Sequence, residues 1–158
     1  MNYYNKTAKG YNELHSEEQK AKLDLIKTII KIKKTDKLLD VGAGTGLSSD
    51  FDCDVTAVDP SKELLKQNPA KKKFLANAEN IPFKDNSFDI VISITAIHNF
   101  KDIEKGLKEI KRTGKNKFVF SVLKKSKKFN LIKKLIKKHF KIQKETEESK
   151  DVIFLCSR

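Results

Sequence analysis

Two acids and three glycines at fixed spacing are the residues of this chain best placed to do chemistry. Asp40-Val41-Gly42-Ala43-Gly44-Thr45-Gly46 follows a short apolar run, and Asp59 stands 17 residues beyond Gly42. Glycine admits positive φ and lets backbone approach a ligand closely. A strand running into such a segment and then a helix is a cradle for a phosphate or a nucleoside. The spacing is G-x-G-x-G; the dinucleotide fingerprint G-x-G-x-x-G would need its last glycine at Leu47. No Gly-Lys-Ser/Thr follows, which excludes a Walker loop. Asp59 lies close to the ~20-residue distance of an acid that binds ribose hydroxyls in nucleotide folds. Its alternative role is to cap a helix starting near Ser61. With the glycine loop at this distance, the binding role is favoured.

These residues need elements to position them. Leu14, Leu23, Ile26, Ile29 and Ile30 recur at helical spacing between Glu13 and Lys33, which predicts one or two N-terminal helices. Lys37 to Val41, Val55 to Asp59, Phe74 to Ala76 and Phe88 to Ile94 read as strands, the last nearly continuous in β-branched residues. Ile103, Leu107 and Ile110 mark a helix, Phe118 to Val122 a strand, and Phe129, Ile132, Leu135 and Ile136 another helix. Two final strands fall near Phe140 to Ile142 and Val152 to Leu155. Apolar strands alternating with helices predict an α/β, Rossmann-like, doubly wound fold with a mostly parallel seven-stranded sheet. The last pair, joined by a polar stretch, predicts an antiparallel hairpin at one edge. One domain over 1–158 is expected, with 1–35 a helical leader or lid and 36–158 the core.

Composition narrows the classes. No apolar run approaches the ~20 residues that cross a bilayer, and Met1 to Gly10 do not read as a secretion signal. Cys53 and Cys156, without metal-ligand spacing, point to free thiols in a reducing cytoplasm and to no metal site. The net charge is +13, and Arg112 and Arg158 are the only arginines among 34 cations. Such an excess fits a polyanionic partner, or equally a lysine-rich proteome adapted to heat or biased in base content.

Leu38 to Gly46 followed by Val58-Asp59-Pro60-Ser61 resembles the class I S-adenosylmethionine-dependent methyltransferases. Asn77-Ala78-Glu79-Asn80-Ile81-Pro82-Phe83 and Ser87-Phe88-Asp89-Ile90-Val91 extend the likeness to the subgroup that includes ubiquinone and menaquinone biosynthesis enzymes. The segment Tyr4 to Tyr11 resembles that subgroup's leader. The resemblance spans nearly the whole chain; its motifs specify the cofactor and leave the acceptor open. It implies S-adenosylmethionine as cofactor, with Asp40, Gly42, Ala43 and Gly44 lining its methionine and ribose part. Amides near residues 42 to 46 would grip it together with Asp59 on the ribose hydroxyls and the adjoining Pro60. Asn77 and Ala78 would face adenine, and Ile94 and Thr95 would stand beside the cofactor at the end of the fourth strand. The subgroup usually has Asp at position 77; Asn still accepts a hydrogen bond through its amide oxygen, with weaker recognition.

Two departures follow from the spacing. Only Leu47 to Asp54 connect Gly46 to the second strand, so the first crossover helix is shortened to a turn or two, leaving a face for a small activating protein partner to shield. No substrate domain is inserted, so the acceptor meets the open carboxyl end of the sheet under the N-terminal segment. A sulfonium methyl is already activated, and transfer needs a positioned nucleophile relieved of any proton. His98, in Thr95-Ala96-Ile97-His98-Asn99-Phe100, is the candidate base; a capping or packing role stands equally beside it. The segment is not of the Asn/Asp-Pro-Pro-Tyr type, which counts against exocyclic base amines and glutamine side chains as acceptors. Tyr4 and Tyr11 could stack on an acceptor ring or pack the leader on the core.

Lysine placement bears on the acceptor. Lys124 to Lys144 holds ten lysines and no acid. Phe129, Ile132, Leu135, Ile136 and Phe140 form an apolar stripe, so Lys133, Lys134, Lys137 and Lys138 fall on the opposite face, suited to a phosphate backbone or simply to solvent. A membrane surface is disfavoured by flanks without Trp. Three readings stay open, with a methyltransferase acting on tRNA or rRNA given the edge. The others are a small-metabolite methyltransferase and a non-catalytic cofactor-binding subunit.

Overall fold

A computed structural model of the chain describes residues 17–158. Seven strands, β1 (Lys37–Val41), β2 (Asp54–Asp59), β3 (Lys72–Leu75), β4 (Phe88–Ile94), β5 (Gly114–Leu123), β6 (Lys141–Glu147) and β7 (Asp151–Ser157), form one sheet. Its order is β3-β2-β1-β4-β5-β7-β6. The first five strands are parallel. β7 inserts antiparallel between β5 and β6, so the expected hairpin closes that edge with its second arm inside.

Side chains alternate across the pleat, and two cores follow from that period of two. Leu39, Val41, Val91, Phe118 and Phe120 face one side, under α3 (Ile103–Thr113) and α4 (Phe129–His139). Leu38, Ile90, Ile92, Val119 and Ile153 face the other, where Leu23, Ile26 and Ile30 of the α1 segment (helix over 17–29) cover them together with Phe51. The remaining helix, α2 (Lys62–Gln67), is a short crossover between β2 and β3. α1 substitutes for helices missing elsewhere on its face. The connection from β1 to β2 is one 3₁₀ turn, Leu47–Asp50. The β3–β4 connection carries no helix at all; Arg112 of α3 pins it instead, donating to the Phe83 and Ile81 carbonyls at 2.8 and 3.0 Å. Glu109 adds a carboxylate for the Ile81 amide at 2.9 Å.

β2 and β7 extend the expected strands by one to three residues, and three others depart from the sequence pattern for a physical reason. β3 runs two residues earlier than Phe74 and ends at Leu75. β5 begins at Gly114, because pairing with Phe88 extends it through the polar Lys115 to Lys117. β6 is longer than Phe140 to Ile142, since backbone pairing to β7 holds polar, largely exposed Lys141–Glu147 on the open edge. Tyr4, Tyr11 and the first part of the leader lie outside the described residues.

Phe120 is fully buried and meets Phe140 edge to face, centroids 5.1 Å apart. Phe120→Ala is expected to lower unfolding stability by about 3–5 kcal/mol, read from the urea midpoint.

Candidate functional site

The sheet reverses its winding between β1 and β4, and open α/β sheets bind ligands at the carboxyl ends beside such a switch point. A cleft of about 990 Å³ opens there. Asp40, Gly42, Ala43 and Gly44 come to it from β1, Asp59 and Pro60 from β2, Ile94 and Thr95 from β4, and Asn77 and Ala78 from the Arg112-pinned connection.

The glycine loop is built from bonds within itself and to β2. The amides of Gly42 and Ala43 both donate to the Val58 carbonyl, at 2.9 and 3.0 Å, and the Gly46 amide donates to the Ala43 carbonyl at 3.0 Å. The Gly44 amide donates to Asp59 Oδ2 at 2.9 Å. Gly42 and Gly46 have φ of 74° and 79°. A Cβ on Gly42 would lie 2.6 Å from Ala96 Cβ, and one on Gly46 would lie 2.4 Å from the Asn68 amide group. The amides of residues 42, 43, 44 and 46 are therefore committed internally, which corrects for these four the expected grip of amides near residues 42 to 46; the carboxylates of Asp40 and Asp59 stand beside them in the cleft.

Asp59 accepts Gly44 N on one oxygen and Ser61 N, at 2.8 Å, on the other. Each carboxylate oxygen keeps lone-pair capacity toward the cleft. It does not cap the following helix; Ser61 does, its Oγ accepting from the Leu64 amide at 3.2 Å. Asp40 is buried and accepts a short hydrogen bond from Ser48 Oγ. Burial pushes its carboxyl up to about 7, with neighbouring Asp59 adding to the rise and Ser48 opposing it.

Residues outside the sequence-level reading complete the wall: Gln19 and Leu23 of α1, Ser48, Leu64, Glu79 and Phe100. Glu79 fixes the rim by accepting the Lys101 amide at 3.0 Å. Helical spacing marks Leu23 as core, and the expectation of an acceptor under the N-terminal segment names no residue of α1 as cleft wall.

His98 sits on the turn Ile97–Asn99. Ala96, Asn99 and Phe100 line the cleft from this segment, and His98 is not in that lining. Burial lowers its pKa, Asp151 opposes that effect, and Lys128 reinforces it. The lysine face of α4 is divided. Lys133 pairs with Glu145 at 3.4 Å and Lys138 with Glu104 at 3.0 Å, whereas Lys134 and Lys137 are exposed. Cys53 and Cys156 are both free thiols, pushed up to about 11 and about 12, burial being the main cause. No helix of the described residues is long and apolar enough to cross a membrane, and no metal-holding cluster occurs among them.

A family model described as a methyltransferase domain matches residues 39–120. An uncharacterized protein of Methanocaldococcus jannaschii is 34% identical over 125 residues, covering 76% of this chain and 50% of the relative. A demethylmenaquinone methyltransferase of Paenarthrobacter aurescens is 38% identical over 92 residues, covering 53% and 36%. The chain thus spans half or less of the length of these curated relatives. Among solved structures, a chain of the complex containing the Haloferax volcanii Trm112 methyltransferase activator superposes with TM-score 0.77 at 15% identity, covering 94% and 92%. A SAM-dependent methyltransferase of Aquifex aeolicus superposes with TM-score 0.72 at 16% identity, covering 85% and 88%.

The raised Asp40 carboxyl sets a pH signature. The folded chain keeps a proton that the unfolded chain releases above the ordinary Asp range, so stability falls as pH rises from about 4 to about 7. The loss is on the order of 4 kcal/mol. Asp40→Asn is expected to melt higher than the parent protein at pH 8, with the gap closing toward pH 4.5 in thermal scans.

Proposed function

The chain belongs to the methyltransferase-domain family, and from that premise we propose that it binds S-adenosylmethionine in the cleft and transfers its methyl group to an acceptor. One observation carries the reading. The loop turns its amides inward, and the cleft offers the carboxylates of Asp40 and Asp59. A phosphate ligand would need outward amides; a cationic ligand with ribose hydroxyls needs acceptors. The residues fit. Asp40 would face the ammonium and sulfonium end, Asp59 the ribose hydroxyls, and Asn77 with Ala78 the adenine.

Bound there, the cofactor would supply a methyl group already activated by its sulfonium. The chain's own part is positional. The glycine loop and Thr95 set the floor, and Gln19, Leu23 and Phe100 restrict water. Asp59 holds orientation through its two amide anchors. His98, its pKa lowered by burial, is proposed as the proton acceptor where the nucleophile needs one; it stands on the turn that supplies Ala96 and Asn99 and just outside the lining of the cleft.

For the acceptor we favour RNA. Lys127, Lys134, Lys137 and Lys141 are exposed along the outer side of α4 and its flanks, at spacings of seven, three and four residues. Lys134 and Lys137 lie within α4 at helical spacing, Lys127 and Lys141 flank it, and the row can track successive phosphates. The second reading, a small-metabolite acceptor, draws on the demethylmenaquinone methyltransferase relative. A small activating protein is proposed at edge strand β3, where Phe74 and Leu75 are 42% and 61% exposed beside Leu64. The Haloferax volcanii complex supports a partner of that kind.

Incubation with methyl-labelled cofactor, followed by separation of RNA, protein and metabolite fractions, tests the assignment. Label in RNA is expected; label confined to metabolites supports the second reading, and label nowhere makes the chain a cofactor-binding subunit. Lys134→Gln with Lys137→Gln is expected to reduce the slope of log affinity for RNA against log salt by about 1 to 2. An unchanged slope would contradict the phosphate track.

A further inference from the structure

Lys22 is a lysine where α1 should be apolar. It stands one helical turn before Ile26 and two before Ile30, on the buried underside of the helix, and is itself 2% exposed. Its Nζ lies 3.3 Å from Asp151 Oδ1 at the start of β7, a residue with no solvent exposure, and 4.0 Å from Glu148 Oε1. It also donates to Thr95 Oγ1 at 3.2 Å. Thr95 Oγ1 donates in turn to Asp151 Oδ2 at 2.6 Å, and the Thr95 amide donates to Ser121 Oγ at 2.9 Å. Three elements far apart in sequence, α1, the end of β4 and the start of β7, meet at one charged, buried point.

Two features here work against stability. A buried ion pair loses hydration that its attraction often fails to recover, and apolar replacement of such pairs is often neutral or stabilising. Thr95 adopts φ of 51°, a conformation that β-branched residues rarely hold. Asp151 Oδ1, besides facing the lysine, has no hydrogen-bond partner. Features of this kind persist where surrounding structure holds them, and they concentrate at functional sites. The location matches: Gln19 and Leu23, on either side of Lys22 in α1, line the cleft, and so does Thr95.

We propose that Lys22 is a positioning residue of this cleft. Its ion pair with Asp151 pins α1, and with it the wall residues Gln19 and Leu23, against the left-handed turn at Thr95. An exposed clasp, Lys150 to Glu18 at 2.7 Å, ties the same helix to the β6–β7 turn without entering the interior. Hydrophobic packing of Leu23, Ile26 and Ile30 holds α1 onto the sheet, but apolar contact is non-directional and leaves its shift along the strands weakly defined. The charge pair with two fixed hydroxyl neighbours defines it. The inference rests on reading the cleft as the cofactor site.

The test is the double variant Lys22→Met, Asp151→Asn, which removes both charges of the pair and leaves Glu148 held by the Lys150 and Asp151 amides. Its melting temperature is expected at or above that of the parent, while its affinity for S-adenosylhomocysteine by calorimetry falls about tenfold. Parent-like affinity in the folded double variant would overturn the proposal. Failure of the parent itself to bind would instead contradict the cofactor reading on which it rests. A second measurement holds whatever the variant's fate. Amide exchange at residues 19–23 of the parent should slow when the ligand binds, and an unchanged rate there would sink the role assigned to α1.

Discussion

The carbonyl of Val58 accepts two amides at once, from Gly42 and Ala43, and the Asp59 carboxylate beside it accepts a third from Gly44. These bonds lock the turn after β1 onto the end of β2. Because the locked amides point into the protein, the loop side of the cleft offers a ligand glycine backbone and the neighbouring carboxylates of Asp40 and Asp59. A turn built from the same glycines with outward amides would favour anions. Here the direction of a few N–H bonds bears on the charge of what can bind, and Asp40, its carboxyl pushed up to about 7 by burial, adds full negative charge only above neutral pH.

The same economy of chain shapes the fold around it. With one 3₁₀ turn between β1 and β2 and no helix between β3 and β4, one face of the sheet depends on α1, which comes from the start of the chain. Standing directly ahead of β1 in the chain, that helix meets the carboxyl end of the sheet and serves both as core cover and as wall. Arg112 supplies on the other side what a helix would have supplied, holding the Ile81 to Asp85 stretch and so the adjoining Asn77 and Ala78. Opposite the well-covered strands, β3 keeps an open edge with exposed Phe74 and Leu75.

Much of this was legible in the residues. The parallel core followed from apolar strands of β-branched residues, Asp59 was singled out by its distance to the glycines, and Asp40 by the family resemblance. The truncated crossover followed from eight residues of connection. What escaped has physical causes. β6 is held by backbone bonds to β7, so its side chains carry no strand signal. The inward amides depend on φ signs that glycine leaves open. Lys133 and Lys138 find acids on β6 and α3, partners that no local pattern could assign. Lys22 left a readable trace, a cation in line with Ile26 and Ile30, yet its meaning required Asp151 at the far end of the chain.

Ligand charge preference tests the account most directly. Titration calorimetry of one preparation with S-adenosylhomocysteine, ATP and NAD should give saturable heat for the first and none for the two phosphate ligands. Binding of ATP or NAD in preference to the adenosyl amino acid would mean that the loop presents its amides outward after all, and would contradict the arrangement described.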